Sequence, residues 1–374
     1  MHQMGQCESN ASSDAARTWA EYTANCTIPS NMPAENGGAN YMAEEKSSVN
    51  LTDAPAPTEI SRRVLETLYR YRRVDRSVEV DSGEFDDRTC INCFEARQSR
   101  IEKFVRKSEP IHFVIPAFPA KSPNDKKVLG ALPDLGDRTA LSFLQSLCDY
   151  VSHFYTPGAR ITICSDGHVF GDVVGVTDGA VTAYRECVER IITTSNWTSL
   201  DMFGLDDAFG GLNYPRLRDI LDREYSDTID ELKEKIRDDP SMRSLFNGIH
   251  RFMFEDALGL ARGETSKTKL RNESKKSAYH TILRSNAWSR VVEERFPEAM
   301  RLSIHPQPPH SEKFGILLMR SRDNWLTPWH GVALDDGSGV SLVKRWEAER
   351  LNASIVWRDG RPSHFIAPHL AINP

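Results

Sequence analysis

Between residues 111 and 194, apolar stretches of two different periods alternate, and this alternation constrains the fold more than any other feature. Ile111-His-Phe-Val-Ile115 is a short apolar run halted by Pro116, the pattern of a buried strand. Leu141, Leu144, Leu147, Cys148, Val151 and Phe154 then recur at helical spacing and stop at Pro157-Gly158. Arg160-Ile-Thr-Ile-Cys164 reads as a second strand and Ala180–Thr194 as a second helix. Strands alternating with helices predict an α/β fold with a Rossmann-like core of parallel strands. No GxGxxG follows either strand, so dinucleotide binding has little support.

Beyond this core the pattern predicts a helical middle segment, with helices over 216–238, 243–260 and 274–295. A β-rich C-terminal part follows: Met300–His305, Phe314–Met319, Val340–Trp346 and Ser354–Trp357 read as strands, and Asp335-Asp-Gly-Ser-Gly339 supplies a turn. Residues 1–57 are rich in Ala, Ser, Asn, Glu, Gly and Pro without an apolar period, and read as a disordered leader. Helical spacing of Ile60, Val64, Leu65, Leu68 and Tyr71 starts the ordered part, so 58–374 is expected to form one domain.

Charge excludes some functions. A net charge of -6 and a pI near 6.0 leave no electrostatic footprint for nucleic acid. No run of about 18 apolar residues occurs, so no membrane span is expected. The N-terminus lacks a basic start followed by an apolar core, which argues against a secretory signal and for a cytoplasmic protein. Seven cysteines, an odd number, fit reduced thiols there. Cys90-x-x-Cys93 has no second CxxC, and His305, His310 and His330 match no common zinc spacing, so no metal is expected.

Loop length points to the site. The connection from Pro116 to Arg138 is far longer than usual, and such loops are commonly functional. In an open parallel sheet, ligands collect at the carboxyl ends of the strands. Two loops leave from such ends, one with Lys121-Ser-Pro-Asn124 and Pro133-Asp134, the other with Ser165-Asp-Gly167 and Asp172.

Eight short motifs in order, among them Phe118-Pro-Ala-Lys-Ser-Pro-Asn124, Ser165-Asp-Gly167, Phe170-x-Asp172, Arg301-Leu-Ser-Ile-His-Pro306, Thr327-Pro-Trp-His330 and Gly360-Arg-Pro-Ser-His364, resemble the dityrosine/pyoverdine biosynthesis proteins, the isocyanide (isonitrile) synthases. The resemblance spans roughly residues 60–370. It implies an enzyme of secondary-metabolite biosynthesis that turns the α-amine of an amino acid, tyrosine first among them, into an isonitrile. Ribulose 5-phosphate would supply the carbon, with no cofactor. Two alternatives remain open: N-formylation of the amino acid by the same first adduct, or a non-catalytic protein that binds a sugar phosphate or amino acid. A separate iron/2-oxoglutarate oxygenase is the implied downstream partner.

That chemistry asks for acid–base groups and cation clamps. Lys121 is expected to bind phosphate, polarise the ketone or form an imine, and as a loop residue to carry little packing. Asp166 and Asp172 are candidates to deprotonate or bind the substrate ammonium, and His330 is a candidate general acid or base. Ser122, Asn124 and Trp329 are expected at the substrate. If Met300–His305 is a strand, Arg301, Ser303 and His305 share one face and can hold the phosphate, with Lys313 as a second cation.

Overall fold

β1 (Ile111–Ile115) is buried at every position, as its uninterrupted apolar run requires of a strand covered on both faces. In the computed structural model, which describes residues 56–75, 90–261 and 265–368, β1 is the middle of a five-stranded sheet. β2 (Ala159–Cys164), β3 (Leu200–Phe203), β4 (Met300–Ser303) and β5 (Phe314–Gly315) complete it in the order β3-β2-β1-β4-β5. All four pairings are parallel. The predicted parallel α/β core is therefore present. β4 and β5 are shorter than their apolar runs suggested, because the chain turns away at Ile304 and Ile316 to pair with the segment Arg72–Val74.

The strand order has a functional consequence. The chain winds from β1 through β2 to β3, then returns to lay β4 on the other side of β1. The crevice between β1 and β4 is thus the switch point of the sheet, where open α/β folds bind ligands.

Helices cover both faces. α1 (Pro57–Tyr69) and α2 (Ile91–Lys107) precede the sheet, and α3 (Leu135–Ser152) links β1 to β2. α4 (Gly167–Val174) and α5 (Asp178–Thr194) link β2 to β3. α3 begins where the sequence dictates: the Asp134 side chain accepts from the Gly136 N–H, and Asp137 returns the favour to the Asp134 N–H, a capping box. On this face Leu141, Leu144 and Tyr184 pack against Phe113, Ile115, Ile161 and Leu302.

The middle segment holds α6 (Leu205–Phe209), α7 (Tyr214–Tyr225), α8 (Ile229–Asp238), α9 (Pro240–Leu260) and α10 (Lys267–Arg295). The single helix expected over 216–238 breaks at Ser226-Asp227-Thr228, where the Thr228 hydroxyl caps α8 in a capping box with Glu231. α10 covers the second face of the sheet through Trp288, Val291 and Val292, which meet Val114 and Cys164. The Trp288 indole also donates to the Cys164 carbonyl at 3.2 Å, so no polar atom of that large ring is stranded.

The C-terminal part is a mixed sheet, β7-β6-β9-β8, formed by β6 (Val332–Asp335), β7 (Val340–Val343), β8 (Ser354–Arg358) and β9 (Arg361–Ile366). The expected turn at 335–339 joins β6 to β7. The strand read over Val340–Trp346 ends at Val343, because Lys344 opens α11 (Arg345–Arg350) with Glu347 bonded to its N–H. The leader expected over 1–57 lies outside the described residues apart from Ala56 and Pro57. Among the described residues no helix is long and apolar enough to cross a membrane.

Candidate active site

Three segments border the switch crevice: the loop after β1, the turn after β2, and the loop after β4. The first two are locked together by close approach. Phe118 adopts φ 55°, a left-handed conformation that a bulky residue takes only under constraint. The Ser165 hydroxyl donates to its carbonyl at 3.1 Å. A Cβ on Gly167 would lie 1.9 Å from the Pro119 carbonyl oxygen, so only glycine lets α4 start against this loop. The Phe118 ring is fully buried 5.3 Å from that of Trp329, and the Ser122 N–H donates to the Trp329 carbonyl at 2.9 Å. Two motifs two hundred residues apart are thus one unit. Trp329 belongs to the main core here.

Lys121 departs from the expectation of a lightly packed loop residue: it is 3% exposed. Its ammonium is 2.8 Å from Asp134 and 2.6 Å from Asp137 and donates to the Pro328 carbonyl at 3.0 Å, so its three donors are all used. Burial opposes its charge, but the two carboxylates outweigh it and hold its pKa above the usual lysine value. Burial also lifts Asp134 against the pull of Lys121. Tyr184 completes the cluster by donating to Asp137 at 2.7 Å.

Ser122 and Asn124 are likewise engaged within the protein. Ser122 donates to Asp256 at 2.8 Å, while the Asn124 amide donates to the Glu255 carbonyl at 3.1 Å and its oxygen accepts from the Lys126 N–H. Both pin the loop to α9.

A second group holds three titratable side chains, of which Asp166 and His305 are left short of partners. Asp166, at the carboxyl end of β2, has a buried Oδ1 without a hydrogen bond and makes no side-chain cap to α4. Burial pushes its pKa up to about 7. His305, just past β4, has a buried Nδ1 without a partner. Burial, with Arg73, His330 and Lys313 nearby, brings its pKa down to about 3. His330 closes a 3-10 turn, Pro328–His330, with Nδ1 3.0 Å from the Thr327 hydroxyl and its ring stacked on Phe252. Burial and the ammonium groups of Lys127 and Lys121 lower its pKa to about 3. Both imidazoles are therefore neutral at pH 7.

Lys313 precedes β5 and lies beside β4. Burial, reinforced by Arg301, lowers its pKa to about 8 against the opposite pull of Glu312 and Glu293. No hydrogen bond or ion pair holds its ammonium among the described residues. Arg301 is anchored instead: it bonds Ser289 and pairs with Glu293 at 3.0 Å, both on α10. The expected row of Arg301, Ser303 and His305 is interrupted, because β4 ends at Ser303, whose hydroxyl accepts from the His305 N–H and the Gln307 amide. Asp172 stands apart from this group, half-exposed on α4 and paired with Arg284 at 2.6 Å and Arg218 at 3.6 Å.

Two cavities flank the Trp325–His330 segment. One, of about 360 Å³, is lined by Asn124, Lys127, Phe252, His330, Arg345 and Trp346 among others. The other, of about 480 Å³, is lined by Arg243, Asn247, Arg251 and Trp325 among others, and the Trp325 ring lies 5.9 Å from that of His305. The smaller one carries a candidate acid–base residue and several cations, which suits an anionic ligand.

Sequence reasoning missed Arg73. It is 3% exposed, and its guanidinium ties the Ile304 carbonyl to that of Leu326, so it straps the His305 loop to the segment that ends at His330. Its neighbour Arg72 is equally basic in the sequence, so no local signal separated the strap from a surface arginine.

An open parallel sheet with acid–base groups beyond the carboxyl ends of its strands has the layout of an α/β enzyme. The chain belongs to the pyoverdine/dityrosine biosynthesis family, whose model matches residues 101–356. It is 42% identical over 317 residues to the L-tryptophan isonitrile synthase AmbI2 of Fischerella ambigua, a match covering 85% of this chain and 94% of that one. It is 41% identical over 319 residues to the L-tyrosine isonitrile synthase of Pseudomonas aeruginosa, covering 84% and 96%. The crystal structure of the PvcA protein from Pseudomonas aeruginosa matches with a TM-score of 0.78 at 40% identity, covering 82% of this chain and 99% of that one.

Proposed function

We propose that this chain is an isonitrile synthase that converts the α-amine of an aromatic amino acid, tyrosine or tryptophan, to an isonitrile, with ribulose 5-phosphate as carbon donor. The observation that carries the reading is Asp166. A buried carboxylate without a cation, with a pKa near 7, is matched to taking a proton from an α-ammonium group at neutral pH.

The remaining roles are assigned to other side chains of the segments that follow the strands. His305 and His330, both neutral, offer hydrogen bonds to the carbinolamine as it forms and loses water. Lys313, whose ammonium has no hydrogen bond or ion pair among the described residues, offers a cation to the phosphate. Lys121 is a positioning residue, because its donors are spent on Asp134, Asp137 and Pro328. These steps are proton transfers and electrostatic stabilisation, and no cofactor enters them. The product would pass to a tailoring activity, such as that of an iron/2-oxoglutarate oxygenase.

Incubation with ribulose 5-phosphate and either tyrosine or tryptophan, read by mass spectrometry, tests the reading. An isonitrile from one of the two supports it. A formamide as first product makes the chain an N-formylating enzyme, and both amino acids recovered unchanged from active-site-saturating mixtures remove the assignment.

A further inference from the structure

Cys90 and Cys93 begin α2, and His310 lies more than two hundred residues later, in the loop between His305 and β5. The fold brings them together: His310 Nδ1 is 3.5 Å from Cys90 Sγ and 2.9 Å from Cys93 Sγ. All three ligand atoms lie within 4.8 Å of one another. A tetrahedron built with ordinary zinc–sulfur and zinc–nitrogen bonds has a sulfur–nitrogen edge of about 3.6 Å, so a small outward shift admits an ion. We propose that Cys90, Cys93 and His310 form a binding site for a soft divalent metal, zinc above others, which staples the start of α2 to the loop joining His305 and Lys313.

The support around His310 shows a built site rather than a chance meeting of side chains. His310 holds φ 64°, a left-handed conformation that costs a non-glycine residue energy and needs its surroundings to enforce it. Those surroundings are polar and specific. Arg97, one turn beyond Cys93 on α2, donates to the Ser311 carbonyl at 2.9 Å and to the Tyr69 hydroxyl at 2.7 Å. The Ser311 hydroxyl donates to Gln307 at 2.9 Å, and Arg72 donates to the Pro308 carbonyl at 3.3 Å. The loop is thus fixed on both sides of the imidazole without help from the sulfurs, as ligand-orienting contacts do in metal sites.

The donor set selects the ion. Two thiolates and an imidazole suit zinc, while magnesium and calcium want oxygen. Binding releases the two thiol protons and leaves a fourth position for water or a further residue. The site is separate from the acid–base groups, so its role is structural. His310 lies five positions after His305 and three before Lys313, so the staple sets the loop that presents both candidate site residues.

The full chain, purified without chelator and supplemented with zinc, is expected to hold about one zinc per chain by elemental analysis. Cobalt added to the metal-free protein should give thiolate-to-cobalt charge-transfer absorption. Cys93→Ser and His310→Ala should each lower zinc occupancy by about tenfold or more at limiting metal, while Asp172→Asn keeps it. A further measurement does not depend on how the variants fold: zinc should protect Cys90 and Cys93 of the unsubstituted protein from alkylation, mapped by mass spectrometry. Substoichiometric zinc with no cobalt–thiolate band overturns the proposal. So does a Cys90–Cys93 disulfide in the protein as purified, or full zinc retention by the Cys90→Ser/Cys93→Ser chain.

Discussion

Lys121 and Asp166 follow neighbouring strands of one sheet and are held against each other's loops, yet the fold treats their charges in opposite ways. Lys121 meets two carboxylates and a carbonyl, which fill every donor it has. Asp166 has no cation and keeps a buried oxygen without a hydrogen bond. A buried charge with all partners present stabilises a loop, whereas one without partners costs folding free energy and persists because something else uses it. His305 and Lys313 fall on the side of Asp166; Ser122 and Asn124 fall on the side of Lys121. Architecture and chemistry are adjacent here, and charge pairing tells them apart: Asp134 Oδ2 also lacks a hydrogen bond but sits 2.8 Å from the Lys121 ammonium, whereas Asp166 faces no cation.

The sharpest test of that division is Asp166→Asn. Turnover should fall by roughly two to four orders of magnitude, the range for loss of a general base. Stability should rise at the same time. The unfolded carboxyl titrates near its ordinary value of 3.8 and the folded one near 7, so between these values the folded state binds the extra proton. Stability therefore declines as pH rises through that window and stays low above 7. Removing the charge restores up to about 4 kcal/mol at pH 8. Steady-state rates and urea unfolding on one sample decide it: a destabilised Asp166→Asn protein would mean that Asp166 is structural.

Lys121→Met should do the reverse. Taking away the cation strands Asp134 and Asp137, which should cost about 3–5 kcal/mol, a large share of a domain's stability. Urea unfolding or soluble yield reads this directly. A Lys121→Met chain as stable as the parent but inactive would move Lys121 from the architectural set to the reacting one.

Lys313 gives an intermediate effect with a pH signature. Its ammonium, with pKa near 8, is charged below that value and neutral above it. If it clamps the sugar phosphate, kcat/KM for that substrate falls as pH rises through about 8, whereas deprotonation of Asp166 raises activity through about 7. Lys313→Arg should keep activity on the alkaline side, and Lys313→Ala should cost about one to two orders of magnitude in kcat/KM, the worth of a charged hydrogen bond. An alkaline limb that survives Lys313→Arg would place the phosphate elsewhere.

The sequence made the core of this division legible and its details illegible, for physical reasons. Period and proline stops are local, so the strands 111–115 and 160–164 and the helices after them could be read directly. Loop length and strand order then located the crevice. Whether a charge is satisfied depends on residues distant in the chain: Lys121 on Pro328, Ser122 on Asp256, and His310 on Cys90 and Cys93. The short strand Leu200–Phe203 and the turn at Ser226-Asp227-Thr228 were hidden because few residues carry each signal. The strand period puts Arg301 on a face that can hold the phosphate, but α10 takes its guanidinium.

Asp172 offers the smallest effect and the cleanest control. It shares the Ser165–Asp172 stretch with Asp166, and the sequence makes both carboxylates candidates for the substrate ammonium. In the fold it is half-exposed and paired with Arg284 and Arg218. Losing it strands nothing, because Arg284 also pairs with Asp222 at 3.1 Å and donates to the Val169 carbonyl, and Arg218 pairs with Asp178 at 2.7 Å. Exposed ion pairs are worth about 0–1 kcal/mol and weaken further with salt. Asp172→Asn should therefore lower stability by less than about 1 kcal/mol and leave turnover unchanged within error. The same assay used for Asp166→Asn checks it, since the two substitutions are chemically identical and six residues apart. Equal losses of activity in both would show that partner inventory does not separate reacting carboxylates from supporting ones in this fold.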